Sequence, residues 1–86
     1  MKLKQDFVLR EIAGDYVLIP VMKQEDEFKG IISLNETGAY IWKKLEENKD
    51  TDEIIEDMLN DYEVSLELAT SNVNEFLSNL KTLGIM

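Results

Sequence analysis

The spacing of hydrophobic residues along the chain changes near residue 34. Before that point, short apolar runs rich in β-branched residues alternate with turns and polar loops, a pattern typical of strands. After it, apolar residues recur every three to four positions, as in amphipathic helices. The pattern predicts a single α+β domain spanning residues 1–86. In it, a three-stranded antiparallel sheet (strands over about 7–33) is followed by three helices (about 35–84), an arrangement that is winged-helix-like.

Three strands are predicted, over residues 7–12, 16–19 and 28–33. Residues 13–15 supply a tight turn, and the second strand is apolar on both faces, which favours the middle of the sheet. Pro20 cannot donate a ladder hydrogen bond, so we expect it at a bulge or where the neighbouring strand has ended. The third strand is then an edge. One of its faces is expected to meet the core: Phe28, Gly30, Ile32 and Leu34.

Capping residues mark the ends of the predicted helices. Asn35 and Ser65 are suitable N-caps, Asp50 and Glu53 have the spacing of a capping box, and Gly84 is placed for a left-handed C-cap. The first two helices have apolar stripes that include Ile41, Trp42, Leu45, Ile54, Ile55, Met58, Leu59 and Tyr62. The third is expected to bury Leu66, Ala69, Val73, Phe76, Leu77, Leu80 and Leu83.

Charge excludes several kinds of partner. The net charge is −9, and residues 35–86 carry −8 of it. Nucleic-acid binding requires a basic stripe that replaces counterions on phosphate, and an anionic membrane surface attracts cations, so neither partner fits. An acidic surface either keeps the protein soluble or steers a basic protein partner toward it. No apolar run is long enough to span a bilayer and no export signal is present, which predicts a cytoplasmic protein.

The sequence offers no catalytic constellation. It contains no cysteine and no histidine, which removes thiolate metal sites, cysteine nucleophiles and the commonest general base. Most carboxylates lie on helical faces turned away from the apolar stripe, and the four glycines are isolated, so no phosphate cradle is indicated. We therefore expect neither an enzyme nor a cofactor or metal site. An acidic enzyme that uses paired carboxylates is the remaining catalytic alternative.

The junction between the third strand and the first helix is the most specific segment. Residues 34–42 follow the pattern Leu-Asn-x-Thr-(Gly/Ala)-x-x-Ile-Trp, which resembles the PqqD family. Three later segments also resemble that family: the acidic start of the second helix at 51–54, the Val-x-x-Phe-Leu-x-x-Leu run over 73–80, and the terminal Leu-Gly-Ile at 83–85. The resemblance covers essentially the whole chain.

The resemblance implies a non-catalytic peptide chaperone, or recognition element. Such proteins bind the leader segment of a ribosomally made precursor peptide and present it to a tailoring enzyme, for example a radical S-adenosylmethionine (SAM) protein or a leader protease. The runner-up interpretation is a winged-helix-like interaction or regulatory domain with another protein partner. The oligomeric state is left open between a monomer and a strand-paired or swapped dimer, because a free edge also pairs with its own copy.

An edge strand beside a helix provides a physical route to peptide binding. Unpaired main-chain groups accept an added strand, and side chains beside the edge give specificity. The groove is predicted between the third strand and one flank of the third helix, where ordinary packing is the alternative role of the helical residues. Gly30 lets a bound backbone approach, and Lys29 is available for a leader carboxylate. The full predicted set is Phe28, Lys29, Gly30, Ile31, Ile32, Ser33, Leu68, Asn72, Phe76, Asn79 and Leu83.

Overall fold

A computed structural model describes residues 6–21 and 30–86. The strands are β1 (Phe7–Ile12), β2 (Asp15–Pro20) and β3 (Ile32–Leu34). The helices are α1 (Glu36–Glu46), α2 (Thr51–Asp61) and α3 (Leu66–Thr82). The strands form one antiparallel sheet in the order β1-β2-β3, which confirms the predicted fold class and the central position of β2. Within the described ranges, no helix is both long and apolar enough to cross a membrane.

A two-residue turn sets the register of the first hairpin. Ala13 and Gly14 have positive φ angles of 52° and 86°, as the mirror-image turns that suit hairpin twist require. Ile12 and Asp15 are directly opposite each other across this turn. They form a hydrogen-bonded pair, and every second pair along the ladder is of the same kind.

This alternation fixes where the main-chain groups of β3 point. It holds at the far end of the hairpin, where the N–H of Val21 donates to the C=O of Asp6 at 2.9 Å. Odd-numbered residues of β2 therefore bond to β1, and even-numbered ones face β3. Ile32 and Leu34 are paired with even-numbered residues. Ile32 and Leu34 therefore bond to β2. The N–H and C=O of Ser33, between them, point away from the sheet, toward the side of β3 where no described strand lies.

The third strand differs from the prediction at both ends. Gly30 and Ile31 lie outside β3, whereas Leu34 belongs to it. Continuing the register would place Gly30 opposite Pro20, which has no N–H to donate. Pairing therefore stops at Ile32, and Pro20 lies, as predicted, where its neighbour has ended.

The predicted N-caps are confirmed at all three helices. The Asn35 side chain accepts from the N–H of Gly38 at 2.7 Å, and Ser65 caps α3 in the same way. Asp50 and Glu53 form a reciprocal capping box at α2. Each cap satisfies N–H groups that a helix start leaves unpaired, which stabilises the domain by roughly 1 kcal/mol per cap. The helix starts follow from local side-chain chemistry.

The end of α3 is held by a Schellman motif. Gly84 has a φ of 78°, and its N–H donates to the C=O of Lys81 at 3.0 Å. The N–H of Ile85 donates to the C=O of Leu80, also at 3.0 Å. The motif turns Ile85 back into the core, where its side chain is fully buried.

The core lies between the sheet and the three helices. Its largest fully buried side chains are Trp42, Leu18, Ile41, Ile54, Met58, Leu80, Ile85 and Val73. Ile32 and Leu34 pack against this core, as their alternation predicted. The predictions for Leu66 and Leu83 are wrong, because their side chains are 62% and 43% exposed. Leu66 occupies the first position of α3, where it does not join the core.

Two ion pairs to Asp57 connect α1 and the loop that follows it to α2. Asp57 accepts from the Lys49 ammonium at 2.6 Å, and the Lys44 ammonium lies 3.3 Å away. The hydrogen bond from Lys49, reinforced by Lys44, lowers the pKa of the Asp57 carboxyl below its usual value. Nearby, the Tyr40 hydroxyl donates to Asp61 at 2.6 Å. Burial and this hydrogen bond raise the pKa of the Tyr40 phenol.

Replacing Asp57 with asparagine should make the free energy of unfolding depend less on pH in the acidic range. A lowered folded-state pKa adds stability above the unfolded carboxyl pKa, and that stability is lost as the pH falls through the folded value. Urea unfolding followed by circular dichroism should therefore show that Asp57→Asn is less stable than the parent at neutral pH and equally stable in strong acid. Glu56→Gln, an exposed position on the same helix, is the charge-matched control. The same loss at every pH would contradict the ion-pair explanation.

Candidate functional site

A groove of about 470 Å³ lies between the β3–α1 junction and the C-terminal half of α3. Its sheet-side wall is uncharged and combines apolar side chains with the polar first turn of α1. That wall is formed by Ile32, Ser33, Leu34, Asn35, Thr37, Gly38 and Ile41. Because β3 runs directly into α1, the free edge of the sheet and the helix start belong to the same wall.

The opposite wall is one flank of α3. It presents an apolar floor, a rim of neutral polar groups and one carboxylate. Its members are Asn72, Glu75, Phe76, Asn79, Leu80, Thr82 and Leu83. Such a surface suits a ligand with apolar side chains and a hydrogen-bonding backbone.

A glycine at residue 38 sets the close approach of the two walls. A Cβ atom there would lie 3.2 Å from Cε1 of Phe76 and 3.2 Å from the capping oxygen of Asn35. A larger side chain would push the Phe76 ring away from α1. Gly38 therefore determines how close the Phe76 ring, which forms part of the apolar floor of the groove, lies to α1.

Within residues 6–21 and 30–86, no strand occupies the edge of β3 beside this groove. Among the described residues, β3 pairs with β2 alone, and the Ser33 side chain is exposed. The outward N–H and C=O of Ser33 are separated by the length of one residue, so an extended peptide can bond to both. Peptide residues on either side of that bonded pair would direct their side chains to the face of Ile32 and Leu34, which is the face of the groove.

The other edge of the sheet, formed by β1, carries features that discourage pairing with another strand. By the same alternation, the C=O of Leu9 points outward from β1, and the Arg10 guanidinium donates to it at 3.1 Å. Arg10 and Glu11 also place exposed charges along this edge. Charged side chains on an edge discourage pairing with another chain. The two edges therefore differ, and only that of β3 borders the groove.

Arg10→Ala should increase self-association of the protein. The substitution exposes the Leu9 carbonyl and removes an edge charge, so two copies can pair through β1. Sedimentation velocity at increasing protein concentration should show a dimer that the parent forms less readily. Lys81→Ala makes the same charge change on α3, away from the sheet, and should leave the profile unchanged. An unaltered Arg10→Ala profile would show that the charge does not protect the edge.

Six predicted residues line the groove: Ile32, Ser33, Asn72, Phe76, Asn79 and Leu83. Three others do not. Gly30 and Ile31 precede β3 and are exposed, and Leu68 is 50% exposed one turn before the groove begins. The remaining two, Phe28 and Lys29, lie outside the described residues.

Sequence reasoning missed eight groove residues: Leu34, Asn35, Thr37, Gly38, Ile41, Glu75, Leu80 and Thr82. For two of them a signal was present. Glu75 and Thr82 each lie three positions after a predicted asparagine, which places them on the same helical flank. The α1 residues were assigned to capping and core, and only the assembled junction shows that they also form a wall.

The groove has the character of a binding surface. Among the described side chains, no group of three or more acidic ligands is placed to hold a metal ion. What the groove offers is main-chain hydrogen bonding at Ser33, apolar contact with Phe76 and Leu83, and amide groups from Asn72 and Asn79. These are the components by which an edge strand accepts a peptide.

Comparison with protein families gives a match over most of the chain. The model of the family described as coenzyme PQQ synthesis protein D (PqqD) matches residues 16–86. The matched region includes β2 except its first residue, β3 and all three helices, and therefore both walls of the groove. The chain has no significant match among curated proteins.

Two solved structures have the same fold. TbiB1, in complex with the TbiA(beta) leader peptide, is 26% identical with a TM-score of 0.77, over 99% of this chain and 93% of that chain. A lasso peptide synthetase B1, complexed with the leader peptide, is 20% identical with a TM-score of 0.74, over 98% of this chain and 93% of that chain. The second likeness concerns the fold alone.

Proposed function

The chain belongs to the PqqD family, and from this membership we propose that it is a non-catalytic chaperone for a ribosomally made precursor peptide. It binds the leader segment of the precursor in the groove between β3 and α3. The leader adds as an extended strand to the free edge of β3, and its side chains on the groove face contact α3.

The observation that carries this proposal is the orientation of Ser33. Its main-chain N–H and C=O point away from β2, and its edge borders a groove with an apolar floor. A similarly folded protein, TbiB1, was solved with a leader peptide bound. The contrast with β1, where Arg10 occupies the outward carbonyl of Leu9, favours β3 as the strand that accepts the peptide.

The complex would serve a tailoring enzyme. A leader held along β3 leaves the rest of the precursor free, so a radical SAM enzyme or a leader protease can act on it. The acidic surface of residues 35–86 favours an enzyme with a basic docking face, since complementary charge speeds encounter between proteins. We place this complex in the cytoplasm, with the chaperone as a monomer when its leader is bound.

A titration of the isotope-labelled protein tests the proposal. A suitable ligand is the N-terminal segment of any short precursor-like peptide found encoded near its gene. Amide shifts should concentrate on β3 and on the groove flank of α3, with Ser33 among the largest, while the exposed face of α2 stays unchanged. A scrambled peptide of the same composition is the control. Shifts centred on α2, or none at high micromolar peptide, would overturn the proposal.

A further inference from the structure

Glu75 is the one charged side chain among the described residues that line the groove. It is exposed, and it lies on α3 between the amide-bearing positions Asn72 and Asn79. The opposite wall, from β3 and α1, is uncharged. The groove therefore has a single electrostatic feature, a negative one, beside an apolar floor.

No described cation neutralises this carboxylate. Four of the described cations are engaged by other groups: Arg10, Lys43, Lys44 and Lys49. Lys81 lies six positions after Glu75, about 120° away around the helix, and does not line the groove. A bound peptide places its own side chains beside this carboxylate, where a positive charge is attracted and a negative charge is repelled.

We propose that Glu75 selects leader peptides carrying a lysine or arginine on the groove face. The inference rests on the proposed function and adds the chemistry of its ligand. In an added strand, the residues on either side of the one bonded to Ser33 face the groove. Side chains two positions apart in the peptide therefore contact the groove at the same time. One position takes an apolar side chain against Phe76, and a neighbouring position on the same face takes the cation. The residue between them faces solvent and is not read.

The ion pair would act mainly on selectivity. Ion pairs at a solvent-accessible rim add little to affinity, so a lysine-containing peptide should bind Glu75→Gln only about two- to fivefold more weakly than it binds the parent. The effect should shrink as salt is raised, because salt screens exposed charges. Apolar contacts with the floor should stay unchanged.

A displayed library of short random peptides, selected on the full-length protein, tests this without knowledge of the natural leader. Peptides enriched by the parent should carry an excess of lysine or arginine at a fixed offset from an apolar residue. The excess should disappear with Glu75→Gln and change to aspartate or glutamate with Glu75→Lys. Glu67→Gln is the matched control, because it makes the same charge change on the exposed first turn of α3, outside the groove.

The outcomes separate this inference from the function on which it rests. Enriched peptides without a basic excess would overturn the role of Glu75 and leave peptide binding standing. An excess lost equally in Glu67→Gln would attribute the preference to net charge and would also overturn it. If no peptide is enriched by any variant, the proposed function fails, and the selectivity fails with it.

Discussion

Ser33→Pro should weaken leader binding strongly while the protein stays folded. Proline removes the outward N–H and places its ring where the incoming strand must lie, so both hydrogen bonds of that peptide pair are lost. At about 0.5–1.5 kcal/mol per bond, the loss corresponds to roughly a five- to hundredfold weaker affinity. Isothermal titration calorimetry with the precursor's leader segment measures it. The cost to stability should be small, because this N–H is not part of the β2–β3 ladder and Ile32 already has the extended backbone that a following proline requires.

Two further substitutions test whether the lost affinity comes from the main-chain N–H of Ser33. Ser33→Ala keeps the N–H and changes only the side chain, so its affinity should stay close to that of the parent. Ile32→Pro removes a donor that faces β2, so its main effect should be on the unfolding transition. Binding by Ser33→Pro with parental affinity would mean that the leader does not add to this edge.

Trp42→Ala should give the largest loss of stability among single substitutions in the core. Trp42 is 1% exposed and packs edge-on against Phe7, with ring centroids 5.8 Å apart. Removing a buried aromatic of this size costs about 3–5 kcal/mol. A domain is commonly stable by only roughly 5–15 kcal/mol, so much of the protein would unfold at moderate temperature. Urea unfolding followed by circular dichroism gives the free energy, since Trp42 is the only tryptophan and its fluorescence is lost.

Trp42→Phe separates packing from hydrogen bonding at the same position. The indole N–H of Trp42 is buried and has no hydrogen-bond partner among the described residues. An unpaired buried donor costs about 1–3 kcal/mol, and phenylalanine removes that donor while keeping an aromatic ring. The loss for Trp42→Phe should therefore be well below that for Trp42→Ala. Equal losses would contradict this expectation, because neither the retained ring nor the removed donor would then have reduced the cost.

The features that sequence predicted well are decided over a few residues. The N-caps at Asn35, Asp50 and Ser65 depend on a side-chain oxygen and N–H groups two or three positions later, so the local sequence is sufficient. The turn at Ala13-Gly14 and the C-cap at Gly84 are likewise local, since each depends on a positive φ. The central position of β2 followed from its apolar residues on both faces.

The features predicted poorly depend on residues far apart in the chain. The bounds of β3 depend on Pro20 of the neighbouring strand, and the exposure of Leu66 depends on what packs against the first turn of α3. Asn72 and Asn79 were enough to indicate the flank of α3 that lines the groove, because helical periodicity defines a flank. Its other wall could not be predicted fully, because the approach of Phe76 to Gly38 brings together segments that the sequence separates widely.

The burial of Ile85 has a consequence for the kinetics of recognition. The Ile85 side chain, fully enclosed two residues beyond Leu83, anchors the end of α3 that forms the groove. The wall is then preorganised, and a leader meets a cleft that is already shaped rather than one that must close around it. Arrival rates should differ little among related leaders, and discrimination should be found in how long each remains bound.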